Sequence, residues 1–282
     1  PNSVMVIYLF ITLSFLVARW RAKLITSKYF YPLAVVCMLP LGMGETKIAV
    51  IMLPLVGLVL LKQDLIKSPL RFLLSIGILG ILTTLLVYLY VTVIMHSSLD
   101  DVIKGTLQYN IGNQGYSKGQ YLNRLTSITF WFDKQSWSDP LGFLIGHGLG
   151  SSNTPASANS FGGHLGMQYL NYGINLTAVS TLLWDTGLIG VILFSSIFIA
   201  AWFSAGKLNR ITSDPTIKAD TLAIQASISL FGLSLIYSDS IVNLISMEII
   251  YALVLGYLGY LMNHHKLLSK IEPINSAFKF HD

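Results

Sequence analysis

Apolar residues come in long unbroken runs, at 4–18, 30–43, 48–61, 72–95, 176–203, 221–237 and 241–262. Several reach or approach the roughly 20 residues that cross about 30 Å of hydrocarbon. A polar stretch, 96–175, separates the fourth run from the fifth and is rich in Gly, Ser, Asn and Tyr. The pattern predicts an all-α integral membrane protein of seven transmembrane helices, with one large loop domain between helices four and five. The chain 1–282 reads as a single membrane domain, with 96–175 as a loop inside it. No basic segment precedes the first run, which argues for a span rather than a signal peptide. Pro1 in place of an initiator Met leads us to expect earlier helices upstream.

Charge fixes the expected orientation. Basic clusters at 19–28, 62–71, 207–218 and 266–279 hold 13 of the 18 Lys and Arg. With seven alternating spans all four fall on one side, which the positive-inside rule makes cytoplasmic. The 96–175 loop then faces outward. Only 11% of the chain is charged, against about 25% in soluble domains. The net charge of +5 therefore reports membrane orientation and not nucleic-acid binding. The lone Cys37 forms no internal disulfide.

Two features modify the plain helical picture. The runs at 30–43 and 48–61 are short: about 14 residues at 1.5 Å rise give roughly 21 Å. The Glu45-Thr46-Lys47 turn between them is thus expected below the outer membrane surface, or as a weakly paired surface turn. Within the loop, Tyr121, Leu122, Leu125, Ile128, Trp131 and Phe132 recur at helical spacing, predicting an amphipathic helix over 118–135 lying at the interface.

The loop also carries the candidate chemistry: His96, His147, His164, Arg124 and the run Gly146-His147-Gly148-Leu149-Gly150. Pro140 through Ser151, containing that run, resembles the glycine-rich "P…GhGxGs" loop of the O-antigen ligase and Wzy-type polysaccharide polymerase family. Leu182-Leu183-Trp184-Asp185-Thr186-Gly187-Leu188-Ile189-Gly190 is similar to that family's "LL.E.GliG" helix start. The resemblance implies a metal-independent, inverting glycosyltransferase with no cofactor, in a bacterial cytoplasmic membrane, working on its outer face. Its donor would be an undecaprenyl-diphosphate-linked glycan and its acceptor another glycan or a lipid. By position, Lys47 and Arg124 fall on the family's basic residues around the donor diphosphate. The family's acceptor-side histidine falls on Leu176 here, and the nearest upstream histidine is His164.

Glycosyl–diphosphate cleavage asks for the same parts. Cations stabilise the charge developing on the leaving group where water is excluded, and Arg offers a fork for phosphate oxygens. An attacking hydroxyl benefits from a base titrating near neutrality. The expected catalytic residues are accordingly His164, Arg124 and Lys47. Arg124, Lys47, His147, Gly146, Gly148, Gly150 and Asp239 are the expected substrate-binding positions. No metal-ligand spacing is visible. Each candidate has a plainer role as well. His164 could be a structurally hydrogen-bonded loop histidine, Arg124 a snorkelling interface residue, Asp185 a helix-end anchor and Asp239 a surface-turn residue. Glu248 reads as an intramembrane carboxylate, and Trp184 and Trp202 as interface anchors. Two other classes remain: a polytopic transporter or flippase subunit, which needs charges along a transmembrane path, and a non-enzymatic scaffold, which needs no basic outer cavity.

Overall fold

In a computed structural model, residues 2–43, 48–89, 91–92, 98, 100–101, 104–105, 107, 112, 121–135, 139–155 and 161–278 are described. His96 and Lys47, and with it the Glu45–Lys47 turn, lie outside these residues. Among the described residues the chain is all-α. In order the helices are α1 (Asn2–Arg21), α2 (Ser27–Met43), α3 (Ala49–Lys67), α4 (Pro69–Leu89), α5 (Arg124–Lys134), α6 (Pro140–Ile145), α7 (His164–Gln168), α8 (Ala178–Ile211), α9 (Pro215–Tyr237), α10 (Ser240–Asn243) and α11 (Ile245–Phe278). Four are long and apolar enough to cross a bilayer, with spans at Val4–Arg21, Ala178–Ile211, Pro215–Tyr237 and Ile245–Lys266. The apolar runs at 30–43 and 48–61 are separate helices, as read from sequence, but both helices outrun them. At 17 and 19 residues they extend roughly 26 and 28 Å, closer to the roughly 30 Å of hydrocarbon than the apolar runs alone.

The chain divides into two compact units, one of Pro1–Ile76, Ile199–Leu230 and Glu248–Asp282, the other of Gly77–Phe198 and Phe231–Met247. In the first unit, α9 is enclosed on every side: residues 219 to 228 are buried without a break. Small side chains at Ala219, Ala223, Ala226 and Ser227 let neighbours approach closely. Enclosure obliges its polar groups to find partners. Asp220, fully buried, accepts two bonds from Arg19 of α1 at 2.7 and 2.8 Å and one from the Tyr257 hydroxyl of α11 at 2.5 Å. Gln225 donates to the Trp202 carbonyl at 3.0 Å and accepts from Lys62, whose ammonium also lies over the Trp202 ring. The buried carboxylate at the centre of this network is Asp220, a residue that sequence reasoning passed over.

The backbone is extended at Leu244 and α11 begins at Ile245, so Glu248 sits in the first turn of its helix, near one end of the Ile245–Lys266 span. A carboxylate there complements the helix dipole. Trp184 is no interface anchor: it is completely buried. It belongs to an aromatic core in the second unit with Phe130, Trp131, Tyr169 and Tyr172. That core is what positions the polar loop, and burial there pushes the Tyr169 phenol up, with Tyr172 adding to the effect.

Candidate functional site

The glycine-rich loop is built against the start of α8. Asp139 caps α6, accepting from the Gly142 N–H at 3.1 Å. The chain then leaves α6 through Gly146 at φ +73°, and His147 and Gly148 donate their N–H groups to the carbonyls of Trp184 and Asp185 at 3.0 and 2.9 Å. The Asp185 side chain takes the next three donors: Gly150 N–H at 2.8 Å, the Ser151 hydroxyl at 2.9 Å and Ser152 N–H at 2.8 Å. Two glycines make this approach possible. A Cβ on Gly146 would stand 2.5 Å from the Asp185 backbone, and one on Gly187 would stand 2.5 Å from Leu144. Gly187 also kinks α8 at φ +66°, a conformation that side-chain-bearing residues rarely adopt. Asp185 is therefore the anchor of the loop, and the two sequence motifs form one hydrogen-bonded unit.

The loop carries a pair of histidines. The rings of His147 and His164 meet edge to face with centroids 6.0 Å apart. His147 Nε2 is sealed from solvent and has no hydrogen-bond partner, whereas His164, first residue of the short α7, is exposed. The segment 151–154 supports α7 through the Ser151 carbonyl, which accepts from Leu165 and Gly166 at 3.0 and 2.9 Å. Its last residue, Thr154, donates to Asn175 at 3.2 Å.

Arg124 opens α5, one residue after an Asn123 capping box with Thr126. A cation at a helix N-terminus is unfavourable by itself. It is offset here because Arg124 faces the opposite pole of another helix: its Nε donates to the Tyr237 carbonyl at the end of α9 at 2.6 Å, and its guanidinium lies 4.1 Å over the Tyr237 ring. The face that α5 buries differs from the predicted one. Thr126, Ser127, Phe130 and Trp131 are buried, while Leu125 and Phe132 are exposed. Tyr121 and Leu122 precede the helix, and its buried face packs on the aromatic core.

Next to Asn123 and close in sequence to Tyr237 lies a cavity of about 370 Å³, lined among others by Tyr121, Asn123, Thr154, Asn175, Leu176 and Asp239. None of its described lining residues is a cation. Asp239 lines this cavity, and so does Leu176, the position matched to the family's histidine. His164 and His147 do not line it. Tyr121, Thr154 and Asn175 were not anticipated, because only the folded chain brings 121, 154, 175 and 239 to one wall. Among the described residues no group of three metal-ligating side chains converges.

Comparisons with protein families, curated proteins and solved structures find no match for this chain.

Proposed function

We propose that this protein is a membrane glycosyltransferase that polymerises or ligates undecaprenyl-diphosphate-linked glycans on the outer face of a bacterial cytoplasmic membrane. The observation that carries the reading is the union of the two motifs. Asp185, at the acidic position of the family's helix start, holds the glycine-rich loop through three hydrogen bonds. A polar cavity is lined by Asn123, the residue before Arg124, and an exposed histidine, His164, opens the short α7 bonded to the glycine-rich loop. In this reading seven helices span the bilayer, Arg124 and Lys47 stabilise the departing diphosphate, and His164 accepts the proton of the attacking hydroxyl. The acceptor oxygen forms its bond to the anomeric carbon as the diphosphate oxygen leaves.

Arg124 gives the first test. Arg124→Ala is expected to lose most transfer activity, and Arg124→Lys to recover only part. A lysine supplies the charge but not the planar fork that matches phosphate oxygens. Thermal midpoints of both variants separate this effect from loss of the contact with Tyr237. Full activity in Arg124→Ala reduces the residue to a helix-end clamp.

Orientation gives the second. In a Cys37→Ala background, Leu149→Cys and Phe161→Cys should label with an impermeant maleimide from outside intact cells, and Ser213→Cys should not. Leu149 and Phe161 are suitable because both are highly exposed, whereas Ser151 in the same loop is buried. Outside labelling at Ser213→Cys reverses the orientation.

A further inference from the structure

We infer that the cavity above Asp239 is a sugar-binding subsite that accepts uncharged pyranose rings and turns away acidic ones. The inference rests on the glycan-transfer reading for the identity of the natural ligand, but its chemistry comes from the cavity. At about 370 Å³ the cavity falls in the range of small-ligand sites, about 300–1,000 Å³. With no Lys, Arg or His among the described lining residues and a carboxylate present, those residues are unfit for a diphosphate. The leaving group must therefore lie elsewhere, and this cavity is left to the uncharged part of a substrate.

The walls offer what a sugar ring needs. Tyr121 stands at the cavity with 75% of its surface exposed, an amphipathic ring available to the C–H face of a pyranose. Asn175 spends its side-chain oxygen on the Thr154 hydroxyl, which directs its amide N–H groups to other acceptors. Asp239 spends one oxygen on Asn243 at 2.9 Å and keeps the second as an acceptor. A donor and an acceptor on one wall match neighbouring hydroxyls, each of which both donates and accepts. Asn123 is 2% exposed with its oxygen committed to Thr126, so it is wall rather than reader.

Asp239 also sets the selectivity. A uronic acid would bring a second carboxylate against it with no cation among the described lining residues to offset the repulsion, and such like-charge contacts are strongly disfavoured. A neutral or N-acetylated sugar meets no such obstacle.

The test uses the full chain in detergent micelles at neutral pH, with methyl glucoside, methyl N-acetylglucosaminide and methyl glucuronide as probes, binding being followed by saturation-transfer NMR. At least one neutral glycoside is expected to bind, and the glucuronide at least about tenfold more weakly. Asp239→Asn should bring the glucuronide to within about threefold of the best neutral probe. Tyr121→Ala and Asn175→Ala should each weaken the neutral probe by about fivefold or more. Tyr121 lies at the surface, so its variant folds without loss of core. Equal binding of glucuronide and neutral glycosides by the native protein, no glycoside binding at all, or neutral binding untouched in both the Tyr121 and Asn175 variants overturns the inference. Glycan transfer is kept out of this readout. Selective glycoside binding without transfer leaves the sugar site standing and removes the enzymatic reading; transfer without that selectivity does the opposite.

Discussion

Replacing His164 with alanine is expected to lower glycan transfer by about 10²- to 10⁴-fold, the usual contribution of a general base, while leaving lipid-donor binding nearly unchanged. His164 is exposed on a short helix, so its removal strands no buried group. His147→Ala should cost much less in the chemical step. The Nε2 of His147 is closed off from solvent, and the backbone N–H of the residue, which the substitution keeps, is what holds the loop to Trp184. Turnover and donor affinity of both variants in reconstituted vesicles decide the matter. Near-normal turnover in His164→Ala beside a folded but inactive His147→Ala reverses the assignment.

Asp185→Ala is expected to produce the largest loss of stability in the loop. It removes the acceptors of three donors at a residue only 6% exposed. Stranding a buried donor costs about 1–3 kcal/mol, so the sum is about 3–9 kcal/mol if no water enters. At that cost the thermal midpoint of the purified protein should fall by roughly 10 °C. Asp185→Asn keeps one oxygen and should lose less. A fall of under about 2 °C in Asp185→Ala would mean that the loop is held by its backbone bonds to Trp184 and Asp185 and by close glycine packing alone.

The difference between these two residues shows what was legible in the chain. Long apolar runs report directly on a bilayer, and helices α1, α2, α3, α8, α9 and α11 lie where the runs place them. The motif pair was legible because each half is local. Its joining by Asp185 was not, since the bonded residues are 33 to 35 positions apart. Asp220 was hidden for the same reason. It follows Lys218 at the edge of a basic cluster and reads as solvated, while its partner Arg19 lies 201 residues away. The face of α5 was misjudged because periodicity marks apolar positions without saying which neighbour covers them. Here the cover is an aromatic core drawn from α5, the Tyr169–Tyr172 turn and α8. Hydropathy does not register a single extended residue, Leu244, that restarts the helix just before Glu248.

Glycan transfer by the purified protein is the most direct measurement of what it does. The protein is reconstituted in lipid vesicles with an undecaprenyl-diphosphate-linked oligosaccharide and an acceptor glycan or lipid, and products are resolved by mass spectrometry. A longer or newly attached glycan, together with released undecaprenyl diphosphate in equal amount, is the expected result. Intact donor after prolonged incubation with folded protein, across lipid-linked and lipid A-type acceptors alike, would contradict it.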